Sequence, residues 1–92
     1  MDDDTLRVAQ MGIEAESFES SLVGREMVAR AEREIAEYTQ ELVEASPLDT
    51  AANTLIRLEI TSRRLFQDYL ADLVSSGLVA EAQLQEEDET YD

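Results

Sequence analysis

The chain contains no cysteine, no histidine and no lysine. Without cysteine there are no disulfides, no cysteine-based zinc sites and no thiol nucleophile. Without histidine it lacks the usual general base near neutral pH and the commonest transition-metal ligand. It has three scattered glycines, too few for a phosphate-cradling loop, and neither a nucleophile elbow nor a catalytic triad is present. Apolar runs are only a few residues long, so no segment is expected to span a bilayer. The expectation is a non-enzymatic protein with no cofactor, no metal site and no membrane association. Met1-Asp2-Asp3-Asp4 is opposite in charge to a signal or transit peptide, which makes a cytoplasmic location the default.

What is present is acid. The 92 residues carry 22 acidic and 7 basic side chains, a net charge of −15, and every basic residue is arginine. Nucleic-acid backbones need a cationic face, so direct nucleic-acid binding is not expected. The ends, residues 1–4 and 81–92, hold −9 of the net charge, and residues 5–80 hold only −6. Such a surface suits three explanations: a DNA mimic, adaptation to concentrated salt, or a genome that favours acid and arginine over lysine. For mimicry by the folded body, −6 spread over 76 residues and interrupted by seven arginines is far sparser than the roughly one charge per 1.7 Å of a duplex.

Periodicity predicts an all-α protein. Asp2-Asp3-Asp4-Thr5 reads as a helix start. The following segment, about 5–20, places Leu6, Ala9, Ile13 and Phe18 at helical spacing. Gly12 within it costs about 1 kcal/mol relative to alanine and predicts a bend. After the capping pair Ser20-Ser21, a helix over about 22–45 carries Val28, Ala31, Ile35, Tyr38, Leu42 and Ala45 on one stripe. Glu26–Arg30, Arg30–Glu34 and Arg33–Glu37 fall four residues apart on its solvent side. Ser46-Pro47-Leu48-Asp49 marks a corner and predicts a third helix over about 47–76. Its wide apolar face includes Leu48, Leu55, Leu58, Leu65, Phe66, Tyr69, Leu70 and Leu73. Gly77 reads as its terminator, residues 78–85 as a short C-terminal helix, and 86–92 as an acidic, disordered tail. The expected architecture is an antiparallel helical hairpin with flanking helices, residues 1–85 forming a single small domain. So small a body leaves part of the third helix uncovered, which points to a partner or to self-association.

The candidate chemistry is correspondingly sparse. Glu14, Glu16 and Glu19, or Glu34, Glu37 and Glu41, cluster along their helices but lie off the apolar stripes and read as solvated faces. Asp2-Asp3-Asp4 and Glu86-Glu87-Asp88-Glu89 lack the glycine and spacing of a calcium loop. Arg57, Arg63 and Arg64 sit among Glu59 and Asp68. Arg63 and Arg64 either pair along the helix, with Glu59 and Asp68, or reach a partner's carboxylate or phosphate through bidentate contacts. The candidate interface is Leu58, Leu65, Tyr69, Arg57, Arg63 and Arg64, with the apolar residues meeting a partner or another copy and the charges setting orientation.

Gly12-Ile13-Glu14-Ala15-Glu16-Ser17-Phe18 and Ser21-Leu22-Val23-Gly24-Arg25, with Phe66, Tyr69-Leu70, Gly77 and Ala80 further on, resemble the pattern of short acidic helical accessory proteins encoded by tailed bacteriophages. The likeness covers roughly residues 12–84. It implies a viral setting: an accessory in virion assembly or a factor that binds a host protein, located in the host cytoplasm or within a virus particle. The favoured expectation is therefore a protein–protein interaction module acting by helix-face docking. The alternative is an acidic inhibitor or DNA mimic that binds a host nucleic-acid-binding protein.

Overall fold

The computed structural model describes residues 3–90, all but a few of them helical. Three helices follow one another: α1 (Asp3–Ser20), α2 (Leu22–Glu44) and α3 (Thr50–Thr90). The 41 residues of α3 span about 60 Å at 1.5 Å per residue. That accounts for the long dimension of a molecule measuring 66 × 27 × 15 Å between Cα atoms. Helices α1 and α2 lie one after the other along α3 and run against it. Gly12 of α1 meets Gly77, Ala31 of α2 shares a groove with Phe66, and Leu42 shares one with Arg57. The radius of gyration, 18.9 Å, far exceeds the roughly 12 Å of a compact chain of this length.

A single residue separates α1 from α2. Ser21 takes an extended conformation (φ −72°, ψ 159°). Its hydroxyl accepts from the Gly24 amide at 2.9 Å and donates to the Phe18 carbonyl at 2.6 Å. One side chain thus caps the start of α2 and holds the end of α1. Gly24 is required there, because a Cβ at that position would overlap the Phe18 carbonyl.

The second corner differs from the sequence expectation. Ser46 and Pro47 do not begin α3; Asp49 caps it, its Oδ1 accepting from the Ala52 amide at 3.1 Å. Ser46 instead closes the preceding turn. Its carbonyl accepts from the Asp49 amide at 3.1 Å and from Asn53 Nδ2 at 3.2 Å. The Asp49 amide and Asn53 side chain hold the Ser46 carbonyl in the turn, and the helix begins where the Asp49 carboxylate supplies the cap acceptor.

Gly77 does not terminate α3. A terminating glycine takes positive φ, and no described residue does. The helix runs on through residues 78–85, which form no separate short helix, and through 86–90, where an acidic tail was expected. Asp2, Tyr91 and Asp92 lie outside the described residues, and with them part of the expected N-terminal cap and the last of the tail. Nor does Gly12 interrupt α1. Both glycines serve packing. A Cβ on Gly12 would sit 2.5 Å from Gly77 Cα and 2.9 Å from the Leu73 carbonyl, and one on Gly77 would sit 2.5 Å from Gly12 Cα. The two backbones touch.

The buried set follows from that approach: Ala9, Gly12, Ala15, Gly24, Ala31, Gly77 and Ala80, joined by Ile56, Ile60 and Leu70. Small residues every three positions on α1 let the helices close to backbone contact, and larger ones fill the wider spacing between α2 and α3. On α3 the buried isoleucines are Ile56 and Ile60, whereas Leu48, Leu55 and Leu58 of the expected apolar face are exposed. Val28, Ala31, Ile35, Tyr38 and Leu42 form the inward side of α2, and Ala45, next on the stripe, is the extended residue that follows the helix.

In an ordinary helix, glycine to alanine gains about 1 kcal/mol from propensity. At this seam, overpacking against backbone that cannot move aside costs up to about 3 kcal/mol and outweighs that gain. Gly12→Ala and Gly77→Ala should each lower the urea midpoint; a raised midpoint for both would show that the helices are not in backbone contact.

Candidate protein interface

The polar link between α2 and α3 centres on Arg63. Its Nε donates to Glu34 Oε2 at 2.8 Å, and its Nη1 donates to Glu59 Oε2 at 2.7 Å and to the Glu59 carbonyl at 3.1 Å. The guanidinium lies over the Tyr38 ring, 4.7 Å from its centroid, a favourable cation–π placement. Glu34 also accepts from Arg30 Nε at 2.9 Å through its other oxygen. Glu34 and Arg63 are both half-buried, so this network fixes the register of α2 on α3 more firmly than an exposed pair would.

Hydrogen bonds from Arg30 and then Arg63 hold the Glu34 carboxyl below its ordinary value of 4.5, and burial only partly opposes them. Hydrogen bonds to Glu34 and Glu59 hold Arg63 more firmly protonated.

Arg63 is therefore occupied inside the molecule. Of the two pairings considered from sequence, Glu59–Arg63 forms; among the described residues, Arg64 and Asp68 make no ion pair. Arg57 and Arg64 are exposed and border a shallow groove with Thr39, Leu42, Ile60 and Thr61. On α2, Arg33 reaches Glu26 at 3.1 Å rather than Glu37.

The apolar members lie on another side of α3. At about 100° per residue, Ile56, Ile60 and Arg63 point toward α2. Leu55, Leu58, Ser62, Leu65 and Tyr69 fall within an arc of about 80° centred some 150° away. The four apolar side chains are open to solvent: Leu55 64%, Leu58 57%, Leu65 43% and Tyr69 61%. Their steps of three, four, three and four residues make a heptad seam with nothing upon it. Leu55 and Ser62 were absent from the candidate set, and the alternation of steps across residues 55–69 was the signal for them. Leu58, Leu65 and Tyr69 belong to this seam, whereas Arg57 and Arg64, on the groove beside α2, and Arg63 do not contribute to it.

Among the described residues, no helix is long and apolar enough to cross a membrane, and no three acidic side chains converge to hold a metal ion. Comparison with family models, curated proteins and solved structures gives no match.

A carboxylate whose pKa is depressed on folding stabilises the fold above its unfolded value and ceases to as pH falls through the folded one. Acidification below about 4.5 should therefore cost wild type more stability than it costs Glu34→Gln, in urea midpoints taken stepwise down in pH. Parallel profiles would mean that Glu34 is not held by the two arginines.

Proposed function

We propose that this chain is a non-enzymatic protein–protein interaction module. It is a helical hairpin, α2 folded back along α3 and braced by α1, that docks another helix on the outer side of α3. The observation that carries this reading is the open seam of Leu55, Leu58, Leu65 and Tyr69. Four large apolar groups at heptad spacing on one exposed helix face favour a helical occupant, which would use the same knobs-into-holes geometry. The aromatic member is the kind of residue that anchors such contacts. The surrounding acid supports orientation and solubility rather than affinity. A viral assembly accessory, the setting implied by the resemblance, is a role that such a module would fill.

The rival reading as an acidic inhibitor or DNA mimic draws on the net charge of −15. It gains little from the helix surfaces, where Arg25, Arg30 and Arg33 of α2 and Arg57 and Arg64 of α3 interrupt the acid.

Leu65→Asp places a charge in the middle of the seam without touching the buried side of α3. It should reduce retention of bound protein by an immobilised chain at least tenfold, with helicity by circular dichroism unchanged, whereas Glu32→Gln on α2 should change retention little. Equal effects of the two substitutions would sink the docking model.

A further inference from the structure

The chain has 7 arginines among 22 acids, and most of the arginines have an acid beside them. Arg7, Arg30, Arg33 and Arg63 each lie 3.9 Å or less from a carboxylate. Among the described residues, Arg25, Arg57 and Arg64 make no ion pair. Arg25 stands alone near the start of α2, whereas Arg57 and Arg64 share one groove between α2 and α3.

The contact along Ile56, Ile60 and Arg63 divides the two helices into two flanks. On one flank Glu34 and Glu59 occupy Arg63. On the other, Arg57, Thr61 and Arg64 fall within an arc of about 60° on α3. The side of α2 that follows this flank carries Ala36, Thr39 and Val43 at helical spacing. Glu32 comes one turn earlier on α2, and Asp68 one turn beyond Arg64 without pairing to it. The groove itself, about 440 Å³, is lined by Thr39, Leu42, Arg57, Ile60, Thr61 and Arg64, with no acid among them. Past Arg57 it continues along Leu42, Val43 and Pro47, a largely apolar wall.

The donors select among anions. Arg57 and Arg64 are two turns, about 10 Å, apart, and their side chains are long enough for both guanidiniums to converge over Thr61 between them. The Thr39 hydroxyl is spent on the Ile35 carbonyl at 2.7 Å, whereas the Thr61 hydroxyl has no partner among the described residues. A carboxylate is satisfied by a single guanidinium fork. A phosphate monoester carries about two charges and three strong acceptor oxygens, which matches two forks and a hydroxyl. A polyanion would bring further phosphates against the net charge of −15, so the ligand is compact.

We propose that this groove binds a phosphate monoester. Arg57 and Arg64 grip the phosphoryl oxygens, Thr61 donates the third contact, and the organic part of the ester lies along Leu42 and Val43. The site is independent of whatever meets the outer side of α3.

The test uses the full chain with phenyl phosphate as probe, followed through the arginine Nε–Hε signals by NMR at constant ionic strength. The Arg57 and Arg64 signals should shift together with a dissociation constant of about 1 mM, while Arg25, also exposed and unpaired, should not move. Inorganic phosphate should bind several-fold more weakly, because it leaves the apolar wall empty. Benzoate, which keeps the ring but carries one charge, should bind roughly tenfold more weakly. Arg57→Gln and Arg64→Gln should each weaken phenyl phosphate binding about tenfold, with helicity by circular dichroism unchanged, and Arg25→Gln should leave it as it is. No shift at millimolar phenyl phosphate, benzoate or inorganic phosphate binding as tightly as the ester, or an equal loss in Arg25→Gln would each overturn the proposal.

Discussion

Gly12 and Gly77 are in backbone contact, and much of the architecture depends on that approach. Helices joined by small residues sit close together and bury little side-chain volume between them. The seam of Ala9, Gly12 and Ala15 against Gly77 and Ala80 therefore leaves the larger apolar groups elsewhere. It also explains why α3 passes through a glycine without ending: the position is selected for what a side chain would strike, not for a left-handed turn. The cost of two helical glycines is offset by dispersion contact along the seam.

A long, thin body follows. With most of its core made of alanine and glycine, the chain cannot enclose its leucines, and they collect on the outer side of α3 and at the corners. Leu48 at the second corner is 91% exposed. Register then needs a polar device, because small residues pack almost as well one turn away. The Arg63 fork on Glu34 and Glu59, over the Tyr38 ring, supplies it between α2 and α3. Gly24 beneath the Ser21 cap fixes the angle at which α1 gives way to α2. Leu55, Leu58, Leu65 and Tyr69 of α3 are left open to solvent in this arrangement.

Helical content and the inward stripe of α2 were legible because a 3.6-residue period over more than two turns has few other readings. The corners were half legible. Ser21 was a capping signal and proved to cap α2, whereas at Ser46-Pro47-Leu48-Asp49 the serine closes a turn and the aspartate begins the helix. Each of these residue types accepts hydrogen bonds from backbone amides, so sequence could not rank them. The glycines were misread because each was weighed alone, as a local breaker. Their meaning lies in a pairing across 65 positions, visible only once Ala9, Gly12 and Ala15 are taken together as a small-residue face. The exposure of Leu55 and Leu58 and the burial of Ile56 and Ile60 could not be separated in advance. All four fit a helix so rich in apolar residues, and only the position of α2 decides which face is inside.

The close approach of α1 to α3 at Gly12 and Gly77 is what makes the body thin and leaves the leucines of α3 outside. Atoms of the two backbones, not only side chains, must then lie within contact distance across the seam. Nuclear Overhauser contacts between the Hα protons of Gly12 and Gly77 in the full chain test that approach without any substitution. A strong cross-peak between the two glycines is expected, since a Cβ on either would fall 2.5 Å from the other's Cα. Assigned glycine signals with no such cross-peak would contradict backbone contact between α1 and α3.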